Sequence, residues 1–475
     1  MKSFRVSLIG AAVSGLLSTP VWSQSLIDLY NMAKGYDAAF QSAKSLYEAN
    51  RYRADQGLAQ IMPTVGLGLT ATRSQVDFRG DTPSVNKAVG SFTDKNGKDF
   101  YATPSDYIAN DGNPFKRWYL QNNATLTASQ PLYRPANLAV YRQSAKQLSQ
   151  AYAQLTVAEQ DLLIRVSQAY FDVLASQDSL NFVRAQKIAV SEQLASAKRN
   201  FEVGTATITD TREAQARYDL VIAQEIAADN DLRVKRLALD TIVGIKNAAP
   251  KPLNAGTALN PTLPQDVEEW VKQSESSHPS VLNAQLAMDI AQLEIERARA
   301  GHKPTVDLVG SYAGTRSLGG TAVSGSVSSN SHVVSPTLQV VMNVPLFAGF
   351  ATESRYKETV QLEDKARQDL ELARRNVAQA TRTAYFGVVS GLGQVKALEA
   401  AESSSQVALD ANKLGYSVGV RINIDVLNSQ SQLFQTKRDL AKARYDVLVG
   451  SLKLRQASGL LKEDDLQGVN AMLER

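Results

Sequence analysis

Polar and apolar residues alternate along four short stretches of this chain, and two of those stretches run straight into far longer segments of helical period. In the first, Val65, Leu67, Leu69 and Ala71 alternate with Thr64, Gly66, Gly68, Thr70 and Thr72, a strict period of two. Leu120, Asn122, Ala124, Leu126 and Ala128 repeat the pattern, interleaved with Gln121, Asn123, Thr125, Thr127 and Ser129. Val306, Leu308 and Tyr312 mark a third stretch; Leu338, Val340, Met342 and Val344 mark a fourth. The pattern predicts strand pairs at 64–74 with 118–130 and at 304–316 with 335–345. Each strand is about ten residues, the length that crosses a bilayer core at a tilt. Polar connections at 75–117 and 317–332 join the members of each pair. The second has nine Gly or Ser among sixteen residues, so it reads as a flexible loop.

Residues 25–60 read as helix. After Pro135 there is no proline up to Asn200, and from Tyr133 to Asn200 no glycine. A spacing of three and four residues picks out Leu148, Leu155, Leu162, Ala169, Ser176, Val183, Val190 and Ala197 as one series. The other is Tyr152, Glu159, Val166, Val173, Leu180, Lys187, Leu194 and Phe201. Only Glu159, Ser176 and Lys187 break the apolar pattern, so the segment reads as a sustained heptad. Such a helix is about 100 Å long. A turn at Val203-Gly204-Thr205 leads to a second helix near 209–243, and a matching pair is predicted at 350–414 and 424–457.

The pairing is no accident, because the chain is written twice. Ala169-Tyr170-Phe171 recurs 215 residues later as Ala384-Tyr385-Phe386, and Asp210 falls on Asp425 at the same offset. Phe201-Glu202-Val203-Gly204 recurs as Tyr416-Ser417-Val418-Gly419. Pro131-Leu132-Tyr133 and Pro345-Leu346-Phe347 mark the switch from strand to helix in each copy. The expected organisation is a first repeat at 24–245 with its long helices at 133–243, and a linker at 246–275. A second repeat follows at 276–460 with its long helices at 350–457, then a tail at 461–475.

Composition narrows the function. Among 475 residues there is no cysteine and there are only three histidines, His278, His302 and His332, in unrelated contexts. Thiolate sites, a histidine-rich zinc site and a serine–histidine triad therefore lack their parts, and no enzyme and no cofactor is expected. A net charge of +4 gives no reason to expect a nucleic-acid partner. Lys2 and Arg5 precede an apolar run from Val6 to Leu17, then Pro20 and Val21-Trp22-Ser23. This reads as a secretory signal peptide, 1–23, too short to span a bilayer. An exported chain without a later apolar run of spanning length can still enter a membrane as strands.

Four strands cannot do so alone, since an open sheet leaves two edges of unpaired backbone groups in lipid. Three copies would close twelve strands, so an obligate oligomer is expected. Amphipathic strands also occur at the edges of soluble sheets. The signal peptide and the aromatics placed at strand ends, Trp118, Tyr119, Tyr133, Tyr312 and Phe347, favour the membrane. A trimeric, barrel-anchored adhesive coiled coil is the competing reading. It would carry its heptads in one block rather than interleaved twice with strands.

Duplication, proline switches and turn motifs together resemble the TolC family of Gram-negative outer-membrane channel-tunnels, in its proper members rather than its distant ones. The similarity covers nearly the whole mature chain. It is densest at Val203-Gly204-Thr205 through Ile208-Thr209-Asp210, at Gly415-Tyr416-Ser417-Val418-Gly419 through Arg421 to Asp425-Val426-Leu427, and at Ala443-Arg444-Tyr445. The resemblance implies an α+β membrane protein. It would be a homotrimer whose twelve-stranded β-barrel lies in outer-membrane lipid above a coiled-coil tunnel through the periplasm, with 246–275 and the tail forming a belt. It implies a passive exit duct for drugs or type I-secreted proteins. A periplasmic adaptor (membrane fusion protein) and an inner-membrane pump of RND, ABC or MFS type would dock on it.

The family's gate carries over in part. A tyrosine and arginine of one hairpin that hold a threonine and aspartate of the other would be Tyr416, Arg421, Thr209 and Asp210 here. Asp210 is also a candidate helix N-cap, in a capping box with Glu213. A second family contact, glutamine to glutamate, falls on Arg199 and Lys413, two cations that cannot reproduce it. The family's entrance ring of paired aspartates falls on Asp425 and Asn428, which leaves one carboxylate per chain to draw cations. Gly204, Thr205 and Gly419 would be the turns on which the adaptor docks.

Overall fold

In the computed structural model, residues 24–78, 91–93, 95–101, 115–254, 266–319 and 330–473 are described. The expected signal peptide, part of the 246–275 linker and the middles of both polar loops lie outside them. In chain order the elements are α1 (Leu26–Tyr36), α2 (Ala38–Ala59), β1 (Thr64–Phe78), β2 (Ser91–Thr93), β3 (Asp99–Tyr101), β4 (Phe115–Tyr133), α3 (Pro135–Glu202) and α4 (Ile208–Val243). There follow α5 (Val267–Ser277), α6 (Pro279–Ala300), β5 (Thr305–Leu318), β6 (Ser331–Asn343), α7 (Ala351–Ser417), α8 (Asn423–Ala457) and α9 (Glu463–Asn470). No helix among the described residues is long and apolar enough to cross a membrane.

The chain divides into two compact units. One comprises Arg53–Ala145 and Ala291–Leu362. Its centre is a four-stranded antiparallel sheet in the order β1-β4-β5-β6. The register sets Leu67 opposite Leu126, Leu126 opposite Tyr312, and Tyr312 opposite Pro336. Paired residues share a face, so one face carries Val65, Leu67, Leu69, Leu126, Leu338, Val340 and Met342, all exposed. The other carries Thr70, Asn123, Thr125, Thr127, Ser311 and Thr315, with Thr315 Oγ1 donating to Asn123 Oδ1 at 3.2 Å. At the foot of the sheet Arg134 makes a bidentate pair with Asp307, both bonds 2.7 Å.

The strands differ from expectation at their ends. Pairing carries β1 to Phe78, and β4 from Phe115 to Tyr133. β6 instead stops at Asn343, opposite Thr305, because Pro304 has no amide to continue the ladder. Tyr312 lies mid-strand rather than at an end. Trp118 does sit toward an end, 54% exposed, with the Arg73 guanidinium 4.8 Å from its ring centre.

The other unit holds the described residues up to Tyr52, Lys146–Ile290, and those from Glu363 on. Here the heptad seam is buried from Leu162 to Ala197 except at Lys187, while Tyr152 and Phe201 at its two ends are exposed. Leu162, Val166, Tyr170, Val173 and Leu180 of α3 pack with Leu29 and Tyr30 of α1 and with Tyr445, Leu448 and Leu452 of α8. Asp37, buried between α1 and α2, takes two bonds from Arg165, at 2.8 and 2.9 Å, and caps α2 through the Phe40 amide. Gln24 bridges to Pro250 and Leu253 to Leu473, which ties the described part of the linker to the segments just before α1 and just after α9. The two copies are not buried alike. Phe171 is 1% exposed, whereas its counterpart Phe386 is 57% exposed.

Candidate functional site at the hairpin turns

Both long hairpins turn by the same device. In the first, the amides of Thr205 and Ala206 donate to the Asn200 carbonyl at 2.8 and 3.2 Å. In the second, Val420 and Arg421 donate to the Gly415 carbonyl at 2.8 and 3.1 Å. Gly204 and Gly419 take φ of 77° and 79°, the left-handed region that a side chain disfavours. Around them Val203, Val418 and Val420 are exposed at 74%, 65% and 79%. The turns thus present apolar tips.

The helices that leave the two turns start differently. Thr207 caps α4: its Oγ1 accepts from the Asp210 amide at 3.2 Å, and the Asp210 carboxylate takes the Thr207 amide at 2.9 Å and hydroxyl at 2.8 Å. Asp210 is therefore the third residue of the helix and not its cap; the helix begins about one turn earlier than the Asp210–Glu213 reading had it. Ile422 stands where α8 needs the same cap and has no side-chain acceptor to offer. Asp425 is left to pair with Arg421, 3.7 Å away. Arg421 in turn lies against Gly415, where a Cβ would sit 2.7 Å from its Cγ.

The hairpins meet through amides. Asn423, wholly buried, accepts from Gln193 and donates to the Asp210 carbonyl at 3.3 Å. Asn200 donates to the Tyr416 hydroxyl at 3.3 Å. Within the chain Tyr416 and Arg421 are thus not brought to Thr209 and the Asp210 carboxylate, because the capping box already holds that carboxylate and Thr209 is exposed. Arg199 and Lys413 are exposed and do not pair, as two cations should not. Asn428 accepts from Arg217 at 2.7 Å. Asn200, Asn423 and Arg217 went unnoticed in the sequence. The signal for Asn423 lay in the repeat itself, since its counterpart in the first copy is Ile208, an apolar residue. Among the described residues no group of histidines and carboxylates could hold a metal ion.

The chain thus combines a two-faced sheet with duplicated helical hairpins. The sequence profile described as "Outer membrane efflux protein" matches residues 29–245 and 270–460. The chain belongs to that family. It is similar to "Outer membrane protein TolC" of Vibrio cholerae, 31% identical over 474 residues that cover 100% of this chain and 99% of that protein. It is also similar to "Alkaline protease secretion protein AprF" of Pseudomonas aeruginosa, 29% identical over 99% of this chain and 92% of that one. The solved structure of outer membrane protein VceC from Vibrio cholerae superposes with a TM-score of 0.70 at 17% identity, over 91% of this chain and 96% of that one. The fold class is accordingly the outer-membrane barrel, four strands to a chain in a trimer, that carries a helical coiled-coil tunnel. As a member of the efflux family the protein is an outer-membrane exit duct that extends into the periplasm.

Proposed function

We propose that three copies of this chain form a passive duct, gated at the hairpin turns, through which drugs or type I-secreted proteins leave the cell. One observation carries this reading. The sheet carries an exposed apolar face and an opposite Thr/Asn/Ser face, and among the described residues β1 and β6 each have an edge that no other strand pairs. In lipid those edges must be closed by neighbours. The exposed Phe386 on α7, where its counterpart is buried, supports a second surface between copies.

The gate is the set of breakable contacts between hairpins: Tyr416 with Asn200, and Asn423 with Gln193 and the Asp210 main chain. Arg421 governs Asp425, which forms the cation-attracting ring. Asn428, engaged by Arg217, contributes no charge to that ring. A periplasmic adaptor seats on the apolar tips around Gly204, Thr205 and Gly419. By separating the hairpins it opens the duct for an inner-membrane pump of RND, ABC or MFS type. A few hydrogen bonds suit such a gate, since each is worth little enough for a docking partner to exchange.

Single-channel conductance in planar bilayers tests this. Wild type is expected to conduct weakly, and Tyr416→Phe with Arg421→Ser several-fold better. Equal conductance in the two would remove the gate assignment. No channel at all would favour an adhesive trimer.

A further inference from the structure

At the foot of the sheet, where β4 passes into α3, lies a cavity of about 600 Å³. One side of it is apolar, made by Leu132, Tyr133 and Leu138 among others, and the first and last of these are exposed at 57% and 43%. The β4–β5 register shifts between Pro131 and Tyr133, which sets Tyr133 opposite Val306, so that Tyr133 continues the face that carries Leu126 and Leu67. The cavity is therefore continuous with the surface that the barrel turns to lipid.

Its other side is cationic. Arg134, Arg142, Arg299 and Lys303 line it, with Glu296 as the one acid. Arg134 is committed to Asp307, and Arg142 is 3.5 Å from Glu296. Arg299 leans on Tyr356, its guanidinium 5.0 Å from the ring and donating to the hydroxyl at 2.9 Å, and it makes no ion pair among the described residues. Lys303 is exposed and has no acidic partner among the described residues. The first turn of α3 also opens here with no acidic residue in it, so the positive end of that helix adds to the field. Two uncompensated cations and a helix start thus stand beside an apolar wall, at the level where a barrel strand leaves the bilayer core.

We propose that this cavity binds an acidic glycerophospholipid, its phosphate held by Arg142, Arg299 and Lys303 and an acyl chain laid along Leu132, Tyr133 and Leu138. Charge complementarity and continuity with the lipid-facing surface select this occupant. β4, which lines the cavity, is an interior strand, so the strand edges left for neighbouring copies are those of β1 and β6. The inference rests on the barrel reading above, but it fails separately, since a channel that conducts normally and ignores lipid charge would overturn the site alone.

Native mass spectrometry of the assembled full chain decides it, using micelles doped with phosphatidylglycerol or phosphatidylcholine. Wild type is expected to retain phosphatidylglycerol about fivefold or more over phosphatidylcholine, and Arg299→Gln with Lys303→Gln to lose that preference, given the pull of each basic residue near a lipid surface. Glycerol 3-phosphate at equal concentration is expected not to displace the lipid. Equal retention of the two lipids by wild type overturns the proposal without recourse to any variant. Undiminished preference in the double variant overturns it too. Displacement by glycerol 3-phosphate would replace the lipid with a free phosphate ester.

Discussion

Asp210 and Asp425 occupy the same position of the two repeats, 215 residues apart, but only Asp210 is held by its own helix start. The difference comes from Thr207 against Ile422: a threonine closes a capping box around the first carboxylate, and an isoleucine leaves the second to Arg421. One side chain therefore decides which of two equivalent aspartates is available to the entrance.

Ile422→Thr should accordingly capture Asp425 in a cap and weaken block by a trivalent cation several-fold, since such a cap is worth about 1 kcal/mol. Arg421→Ser should do the opposite by freeing the carboxylate. Titration of block in single-channel recordings checks both, and shifts in the same direction would sink the idea.

Asn423→Ile, which copies the first repeat, should unlatch the hairpins. It leaves the Gln193 amide without its acceptor and the Asp210 carbonyl without its donor, at a cost of about 1–3 kcal/mol. The expected readout is a several-fold rise in conductance with the assembled protein intact. An unchanged conductance would assign Asn423 a purely structural part.

The long rods and four strands were legible because their periods are sustained: from Leu162 to Ala197 every seam position but Lys187 is buried, as the heptad requires. The tip was less so. Tyr416 and Asp210 come only from the resemblance, and Thr207 takes the carboxylate, a choice made by where the helix starts. Asn200 and Asn423 were missed because a lone amide on a helix carries no periodic signature. Only comparison with the aligned Ile208 would have marked Asn423.

Stability should fall in acid through Asp37. Its carboxyl is held below the usual carboxylate range, first by the hydrogen bonds from Arg165. The fold thus favours the charged form. Its contribution is complete above the ordinary value of about 3.8 and is lost as pH drops through the lower folded value. Asp37→Asn should cost about 1.5–3 kcal/mol at neutral pH, the worth of hydrogen bonds to a charged group. Denaturation curves of wild type and variant should converge as pH falls below the depressed folded value. A gap independent of pH would refute the assignment.

The two faces of the sheet should respond oppositely to charge. Leu67→Arg places a cation on the apolar face and should cost about 2–4 kcal/mol of barrel stability. Thr125→Arg, on the polar face, should assemble normally and shift ion selectivity toward anions. Heat-modifiability on gels and reversal potentials distinguish them.

The free edges of β1 and β6 carry a genetic consequence. Every seam of the closed barrel joins two different chains, so a chain with a damaged edge harms whichever normal chains it joins. In a cell making both forms, most channels would contain at least one bad seam. Proline at Leu69 or Leu338 is therefore expected to act dominantly, lowering drug resistance even beside an intact allele, whereas an equally severe lesion confined to one chain's own core would be recessive.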